Sequence, residues 1–166
     1  MSLAAQVLDA ARAAGVRLAA AESCTGGLVM AALTDIPGSS DVVDRGFVTY
    51  SNAAKCEMLG VQAQTLSLYG AVSEQVAAEM ATGALARSAA GLAVSVTGIA
   101  GPGGSEFKPE GRVCFGLATA LGIQTETVDF GAIGRAEVRA ASVTHALAMI
   151  ARALGEVFPS GAKVPS

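Results

Sequence analysis

The sequence predicts an α/β domain in which helices cover both faces of a mixed β-sheet. Short apolar runs alternate along the chain with segments of helical periodicity, and the last three apolar runs follow one another with no helix between them. Hydrophobic residues make up 52% of the 166 residues but aromatic residues only 4%, so most apolar side chains are small. Because small side chains bury little area each, the helices and strands must pack closely.

The amino-terminal half predicts three helices and two strands. Apolar residues at helical spacing between Ser2 and Gly15 predict the first helix, which glycine ends. Each of the two strands leads through a turn into a helix, and Ser51 or Asn52 can cap the second of these helices. In chain order, the strand, helix, strand and helix segments are VRLAAAES, CTGGLVMAALTD, VVDRGFVTYS and AAKCEMLG.

The carboxy-terminal half predicts a long helix, three strands and a final helix. Ser73 is placed to cap an alanine-rich helix, EQVAAEMATGALARSAAG. The final helix is expected from about Ile133 to Leu154, within a single domain of residues 1–157, and residues 158–166 are expected to form a flexible tail. The three strand segments are LAVSVTG, RVCFGLATA and TETVDF, and a glycine- and proline-rich loop joins the first two.

Charge and cysteine content exclude several classes of protein. The net charge of −3 and the absence of a Lys/Arg cluster give no general attraction to nucleic acid. No secretory signal or membrane-spanning run is predicted, so the cytoplasm is the expected location. Cys24, Cys56 and Cys114 lack metal-site spacing, and no metal or cofactor is expected. The alanine-rich, weakly charged surface favours a homo-oligomer.

Three hydroxyl- and glycine-rich turns each follow an apolar strand. Loops after the carboxyl ends of strands line the ligand crevice of α/β sheets, and helix amino termini there offer unpaired N–H groups. One such turn is weak support, because glycine after a strand often serves only the backbone. The three together, AESCTGG, TYSNAAK and SVTGIAGPGG, predict a site that binds a phosphate or an oxyanion.

A serine nucleophile in these turns would need a base, and the candidates are few. The one histidine, His145, lies in a helical segment where it can be an ordinary packed residue, so a Ser-His-Asp triad would rest on that position alone. Of the three lysines, Lys55 is the best placed, one turn into a helix and among small apolar residues. Ser23 could instead cap a helix, and Cys24 could be the nucleophile, since a helix start lowers a thiol pKa.

Lys55 has two hydroxyl neighbours in the sequence. Ser51 lies four residues earlier, on the same helical face if the helix includes it, and Tyr50 precedes it at the strand end. Either hydroxyl is a candidate proton relay. The alternative interpretation of Lys55 is a solvated residue on a surface helix.

The sequence resembles the CinA carboxy-terminal domain family, the nicotinamide-nucleotide amidohydrolases, from Val7 to Leu154. The resemblance implies a three-layer α/β/α fold and the hydrolysis of nicotinamide mononucleotide to nicotinic acid mononucleotide and ammonia, without a metal. Many longer members carry an amino-terminal domain linked to ADP-ribose pyrophosphatase activity. That activity is not expected of this chain. The matching segments are AESCTGG, GFVTYSNAAKCEMLGV, GAVSEQVAAEMATGA, SVTGIAGPGG, KPEGRV and GRAEVRAASVTHAL.

The resemblance also implies roles for individual residues. The family's Ser/Lys pair falls on Ser23 and Lys55, and its tyrosine and serine fall on Tyr50 and Ser51. The family often has an acidic residue where this chain has Gly134, so the ion pair that orients the following arginine is expected to be missing. The residues expected to bind substrate or shape its pocket are Glu22, Thr25, Gly26, Gly27, Thr97, Gly98, Gly101, Arg135 and Arg139, with Arg139 the first choice for the phosphate.

The predicted mechanism has Ser23 attack the amide carbonyl while neutral Lys55 takes the serine proton. N–H groups of a glycine-rich turn would hold the oxyanion, and water would hydrolyse the acyl-enzyme. The rival hypothesis is a module that binds a nucleotide or phosphate without turnover, linked to competence or the response to DNA damage.

Overall fold

The computed structural model describes residues 1–105 and 107–157, which contain six α-helices and five strands. The helices are α1 (Leu3–Ala14), α2 (Leu28–Thr34), α3 (Asn52–Leu59), α4 (Ala63–Tyr69), α5 (Glu74–Ala86) and α6 (Arg135–Val157). The strands are β1 (Leu18–Glu22), β2 (Val43–Val48), β3 (Leu92–Gly98), β4 (Arg112–Thr119) and β5 (Gly122–Asp129). The predicted tail lies outside the described residues.

The five strands form one mixed sheet in the order β2-β1-β3-β4-β5. Strand β1 pairs in parallel with β2 and β3, whereas β4 is antiparallel to both β3 and β5. Parallel neighbours need long crossover connections, and the helices between β1 and β3 supply them. The predicted mixed sheet is therefore confirmed.

Helices cover both faces of this sheet. Alternate residues of β1 point to opposite faces, so Leu18 and Ala20 pack in one apolar core and Ala19 and Ala21 in the other. The first core includes residues of α1, α2 and α6, and the second includes residues of α3 and α5. This arrangement confirms the three-layer α/β/α fold.

Small residues let the layers approach closely, as the composition predicts. A Cβ atom added at Gly83 of α5 would overlap the Leu59 carbonyl oxygen at the end of α3. A Cβ atom at Gly116 of β4 would lie 2.5 Å from the Ala77 carbonyl oxygen of α5. The backbone of α5 therefore packs directly against the backbone of α3 and of the sheet.

Three of the helices begin at capping serines, of which Ser51 and Ser73 were predicted as caps. The Ser51 hydroxyl accepts a hydrogen bond from the Ala54 N–H at 3.0 Å, so Ser51 rather than Asn52 is the cap of α3. Ser2 and Ser73 cap α1 and α5 in the same way. Helix α5 ends at Ala86, earlier than predicted. Helix α4 was not predicted. None of its residues is buried, and it has no apolar stripe that would mark it as a helix in the sequence.

The parallel strands β1, β2 and β3 all end at the same edge of the sheet. The three turns singled out in the sequence follow these strand ends, so the topology brings them together. Among the described residues no helix is long and apolar enough to cross a bilayer.

Candidate active site

Ser23 is the first residue after β1, and the backbone holds it firmly. Its N–H donates to the Val96 carbonyl of β3 at 2.9 Å, which extends the pairing of β1 with β3 by one residue. The chain then turns sharply through Gly26 and Gly27, whose φ angles of 59° and 110° favour glycine. Ser23 is 8% exposed, so only a small part of it reaches the surface.

The buried Glu22 carboxylate caps helix α2. One oxygen accepts the N–H groups of Gly27 and Val29 at 3.2 and 2.9 Å, and the other accepts that of Met30 at 3.1 Å. A carboxylate suits this position because the first N–H groups of a helix lack partners and carry partial positive charge. Glu22 therefore supports the turn, and the expectation that Ser23 caps a helix is wrong.

Lys55 lies in the first half of α3, and its ammonium group reaches Ser23. The distance from Nζ to Ser23 Oγ is 3.0 Å, and Nζ also lies 3.1 and 3.4 Å from the carbonyl oxygens of Thr49 and Tyr50. The predicted Ser23 and Lys55 side chains are thus within hydrogen-bond distance. Lys55 is only 1% exposed, which is contrary to the surface-helix interpretation.

The surroundings of Lys55 favour its neutral form. Burial lowers the pKa of Lys55 below its ordinary value of 10.5, and the thiols of Cys24 and Cys56 oppose this only in part. No carboxylate of the described residues forms an ion pair with it. A neutral amine offers a lone pair, so Nζ can accept the proton of the Ser23 hydroxyl.

Cys24 lies beside Ser23 but lacks the properties of a nucleophile. Burial raises the pKa of its thiol from 9.0 to about 11, so the thiolate is scarce at neutral pH. The structure therefore favours Ser23 over Cys24.

His145 belongs to a separate polar cluster between β5 and α6. Its Nε2 lies 2.7 Å from a Glu126 carboxylate oxygen, and its ring centroid lies 4.4 Å from that of Phe115. It does not line the cavity at Ser23. A Ser-His-Asp triad is therefore not formed, and His145 is the packed residue that its helical position allows.

A cavity of about 360 Å³ lies over Ser23 and Lys55. Its largest wall is the loop between β3 and β4, and Tyr50 and Asn52 line another part. The predicted residues Thr97, Gly98, Gly101 and Arg135 all line it. Six further lining residues belong to the predicted turns, although none of them was named individually: Asn52, Ile99, Ala100 and Pro102 to Gly104. Three lining residues lie outside those turns and were not predicted: Ala71, Val72 and Ser105.

The two late arginines take different positions. Arg135 donates to the Gly101 carbonyl at 2.7 Å and to the Tyr50 hydroxyl at 3.0 Å, so it links two parts of the cavity lining. These two hydrogen bonds orient Arg135 although residue 134 is glycine and not an acidic residue. Arg139 donates to the carbonyls of Cys24 and Thr25 at 3.0 and 3.3 Å, outside the cavity lining. Of the two arginines, Arg135 lines the cavity and Arg139 does not.

Several other predicted site residues support the cavity from outside. Thr25, Gly26 and Gly27 do not line it, and the buried Thr25 hydroxyl has no hydrogen-bond partner in the part of the chain that the structure describes. Ser51 does not line it either, because its hydroxyl caps α3. The described residues contain no group of three or more His, Cys, Asp or Glu side chains that could hold a metal ion.

Comparison with known proteins identifies the family of this chain. The family model of the CinA C-terminal domain matches residues 1–154. The chain belongs to this family. A CinA-family structure from Agrobacterium tumefaciens, the competence/damage inducible protein CihA, is 52% identical with a TM-score of 0.88, and the match covers 92% of this chain and 93% of that one.

Curated relatives of this CinA C-terminal domain include both short and long proteins. The nicotinamide-nucleotide amidohydrolase PncC of Escherichia coli K12 is 57% identical over 123 residues, which are 74% of this chain and 74% of that protein. The CinA-like protein of Chlorobium phaeobacteroides is 58% identical over 120 residues, which are 70% of this chain but only 29% of that protein. The chain thus spans less than a third of this longer relative.

Proposed function

We propose that this CinA-family chain is an amidohydrolase that converts nicotinamide mononucleotide to nicotinic acid mononucleotide and ammonia. The observation that carries the proposal is the 3.0 Å distance between Lys55 Nζ and Ser23 Oγ at the base of a cavity. The relatives named nicotinamide-nucleotide amidohydrolase, at 57% and 60% identity, support this substrate.

The first step joins Ser23 to the substrate carbon. The lone pair of neutral Lys55 takes the proton from the Ser23 hydroxyl as Oγ bonds to the amide carbon, and the carbonyl oxygen becomes an oxyanion. The lowered pKa of Lys55 supports this role, because a protonated lysine has no lone pair to offer.

Backbone N–H groups of the loop between β3 and β4 are the best candidates to hold the oxyanion. Ala100 and Gly101 line the cavity, and their N–H groups donate no hydrogen bond within residues 1–105 and 107–157. Donors already aimed at the developing charge need no rearrangement during the reaction.

The second step releases ammonia. Protonated Lys55 returns its proton to the departing nitrogen, the carbon–nitrogen bond breaks, and an ester to Ser23 remains. Lys55 then takes a proton from water as the water oxygen bonds to the ester carbon. It returns this proton to Ser23 Oγ as the carbon–Oγ bond breaks, which frees the acid and restores the serine. Ser51 caps α3, so of the two predicted relays Tyr50 is the one whose side chain lines the cavity.

Arg135 is the proposed ligand of the substrate phosphate. It lines the cavity and is the first residue of α6, where the helix amino terminus adds positive potential. Its two observed partners, the Gly101 carbonyl and the Tyr50 hydroxyl, are neutral, so a phosphate would be a stronger acceptor. Arg139 shapes the Ser23 turn.

The enzyme would act in the cytoplasm as a homo-oligomer, without a cofactor and without binding nucleic acid. The net charge of −3 supports the last point.

An ammonia-release assay with nicotinamide mononucleotide tests the proposed function. The purified protein is expected to release one ammonia for each nicotinic acid mononucleotide formed. If the folded protein releases none while the nucleotide raises its melting temperature, the chain is a binding module and the proposal is wrong.

A further inference from the structure

Lys108 joins two walls of the cavity without lining it. Its Nζ donates to the carbonyl oxygens of Tyr69 and Val72, both at 2.5 Å. Tyr69 is the last residue of α4 and Val72 lies on the segment between α4 and α5, whereas Lys108 lies on the loop between β3 and β4. A single half-buried ammonium group therefore connects chain segments that are 36 residues or more apart.

Both connected segments form the cavity. On the first, Ala71 and Val72 line it, and the Ala71 carbonyl accepts a hydrogen bond from the Thr97 hydroxyl at 2.8 Å. On the second, the loop residues from Ala100 to Ser105 line it. Each of the two segments that Lys108 joins therefore forms part of the cavity wall.

Lys108 is rigidly placed in its own loop. Its N–H donates to the Ser105 carbonyl at 2.8 Å, and its carbonyl accepts the Ser105 N–H at 3.1 Å. A Cβ atom at Gly104 would overlap the Lys108 carbonyl oxygen, so the loop can close this tightly only with glycine there. Movement of the Lys108 backbone would therefore move Gly104 and Ser105.

We propose that Lys108 is a positioning residue, which holds the loop between β3 and β4 against the segment between α4 and α5 and so sets the substrate cavity. The proposal rests on the proposed amidohydrolase function. The ammonium group is suited to this task because its separate N–H donors can serve two carbonyls in different directions. Loss of the amine leaves both carbonyls without this donor.

Steady-state kinetics with nicotinamide mononucleotide test the proposal in three variants. Lys108→Met keeps the length of the side chain but removes its donors, and kcat/KM is expected to fall by about 10- to 100-fold, the effect of a small displacement of catalytic donors. Lys108→Arg retains donors for both carbonyls and is expected to recover most of this loss. Arg17→Met is the matched control. It also removes one positive charge, but Arg17 precedes β1, at the end of the strand away from Ser23.

The pH dependence separates positioning from proton transfer. In Lys108→Arg the rise of kcat/KM with pH is expected to match that of the wild type. Wild-type kcat/KM in Lys108→Met would overturn the proposal. An inactive Lys108→Arg enzyme would also overturn it, since an arginine supplies the donors but cannot act as a base.

Amide hydrogen exchange distinguishes failure of this proposal from failure of the proposed function. Faster exchange is expected in Lys108→Met in both residues 69–73 and residues 99–105, whether or not the protein turns over the nucleotide. If the wild type releases no ammonia, the proposed function fails but this measurement still decides whether Lys108 joins the walls. Unchanged exchange in either segment would overturn the joining role.

Discussion

The structure holds two clusters in which a potential base forms a hydrogen bond, and their settings differ. At the end of β1, Lys55 Nζ lies 3.0 Å from Ser23 Oγ. Between β5 and α6, His145 Nε2 lies 2.7 Å from a Glu126 oxygen, and Arg152 binds the other oxygen of that carboxylate. The first cluster opens onto a cavity, whereas His145 does not line it.

The difference lies in solvation and charge. Lys55 is buried and forms no ion pair with a carboxylate of the described residues, so its ammonium form has lost water without gaining a counter-ion there. Burial raises the pKa of Glu126, but the hydrogen bonds from His145 and Arg152 outweigh it and lower that pKa overall. Hydrogen bonds of this kind stabilise the ionised carboxylate of Glu126. Lys55 lies at the cavity and against Ser23, so it is the better placed base, although histidine is the more usual one.

The largest expected effect is that of Ser23→Ala. Ammonia release should fall by at least about 10⁴-fold, because Ser23 supplies the one hydroxyl bonded to Lys55 Nζ among the described residues. The affinity for the nucleotide, measured by calorimetry, should remain, and the free energy of unfolding should change by about 1 kcal/mol for the one hydrogen bond lost. Wild-type turnover in this variant, with loss of activity in Cys24→Ala, would move the nucleophile to Cys24.

Lys55→Arg should be the next most severe change. It keeps the positive charge but removes the lone pair, so kcat/KM should fall by about 10²- to 10⁴-fold, nearly as much as in Lys55→Ala. Circular dichroism should show that both variants are folded. An active Lys55→Arg enzyme would mean that the charge at this position, and not proton transfer, is what the reaction needs.

Substitution of the two arginines should separate substrate binding from support of the turn. Arg135→Met should raise KM for the mononucleotide by about 10-fold or more with little change in kcat, because one charge-assisted phosphate contact is lost. Arg139→Met should instead lower kcat, since its partners are the carbonyls of Cys24 and Thr25 beside Ser23. The opposite pattern would restore Arg139 as the phosphate ligand.

His145→Ala should have the smallest effect on turnover, with kcat/KM within about twofold of the wild type. The free energy of unfolding should fall by about 1–2 kcal/mol, because a hydrogen bond to Glu126 and a contact with Phe115 are lost. Urea denaturation measures this change, with His145→Gln as a control that retains a donor. If the fall in kcat/KM, expressed as a free energy, exceeds the fall in the free energy of unfolding, the two clusters are not functionally separate.

Local patterns carry most of what the sequence predicts correctly. Capping serines and terminal glycines mark helix ends within a few residues, which is why Ser51 and Gly60 bound α3 as expected. The choice of Lys55 follows from its apolar neighbours and from the scarcity of other bases. Helix α4 escapes prediction because it is exposed and lacks an apolar period.

Contacts between distant segments account for the rest. Glu22 looks like a pocket residue from its position at the end of β1, and only the path of α2 shows that it caps that helix. Arg135 and Arg139 lie one helical turn apart. Their spacing in the sequence therefore does not predict that Arg135 reaches the cavity and Arg139 the Ser23 turn. Ala71 and Val72 carry no polar side chain that could signal a role in the cavity.

The pH dependence of kcat/KM in the wild type and in His145→Ala tests most directly whether Lys55 is the base. Since the base must be neutral, kcat/KM should rise with pH through the lowered pKa of Lys55, and the inflection should be the same in both proteins. An inflection near 6.5 in the wild type that disappears in His145→Ala would identify histidine as the base and contradict the mechanism.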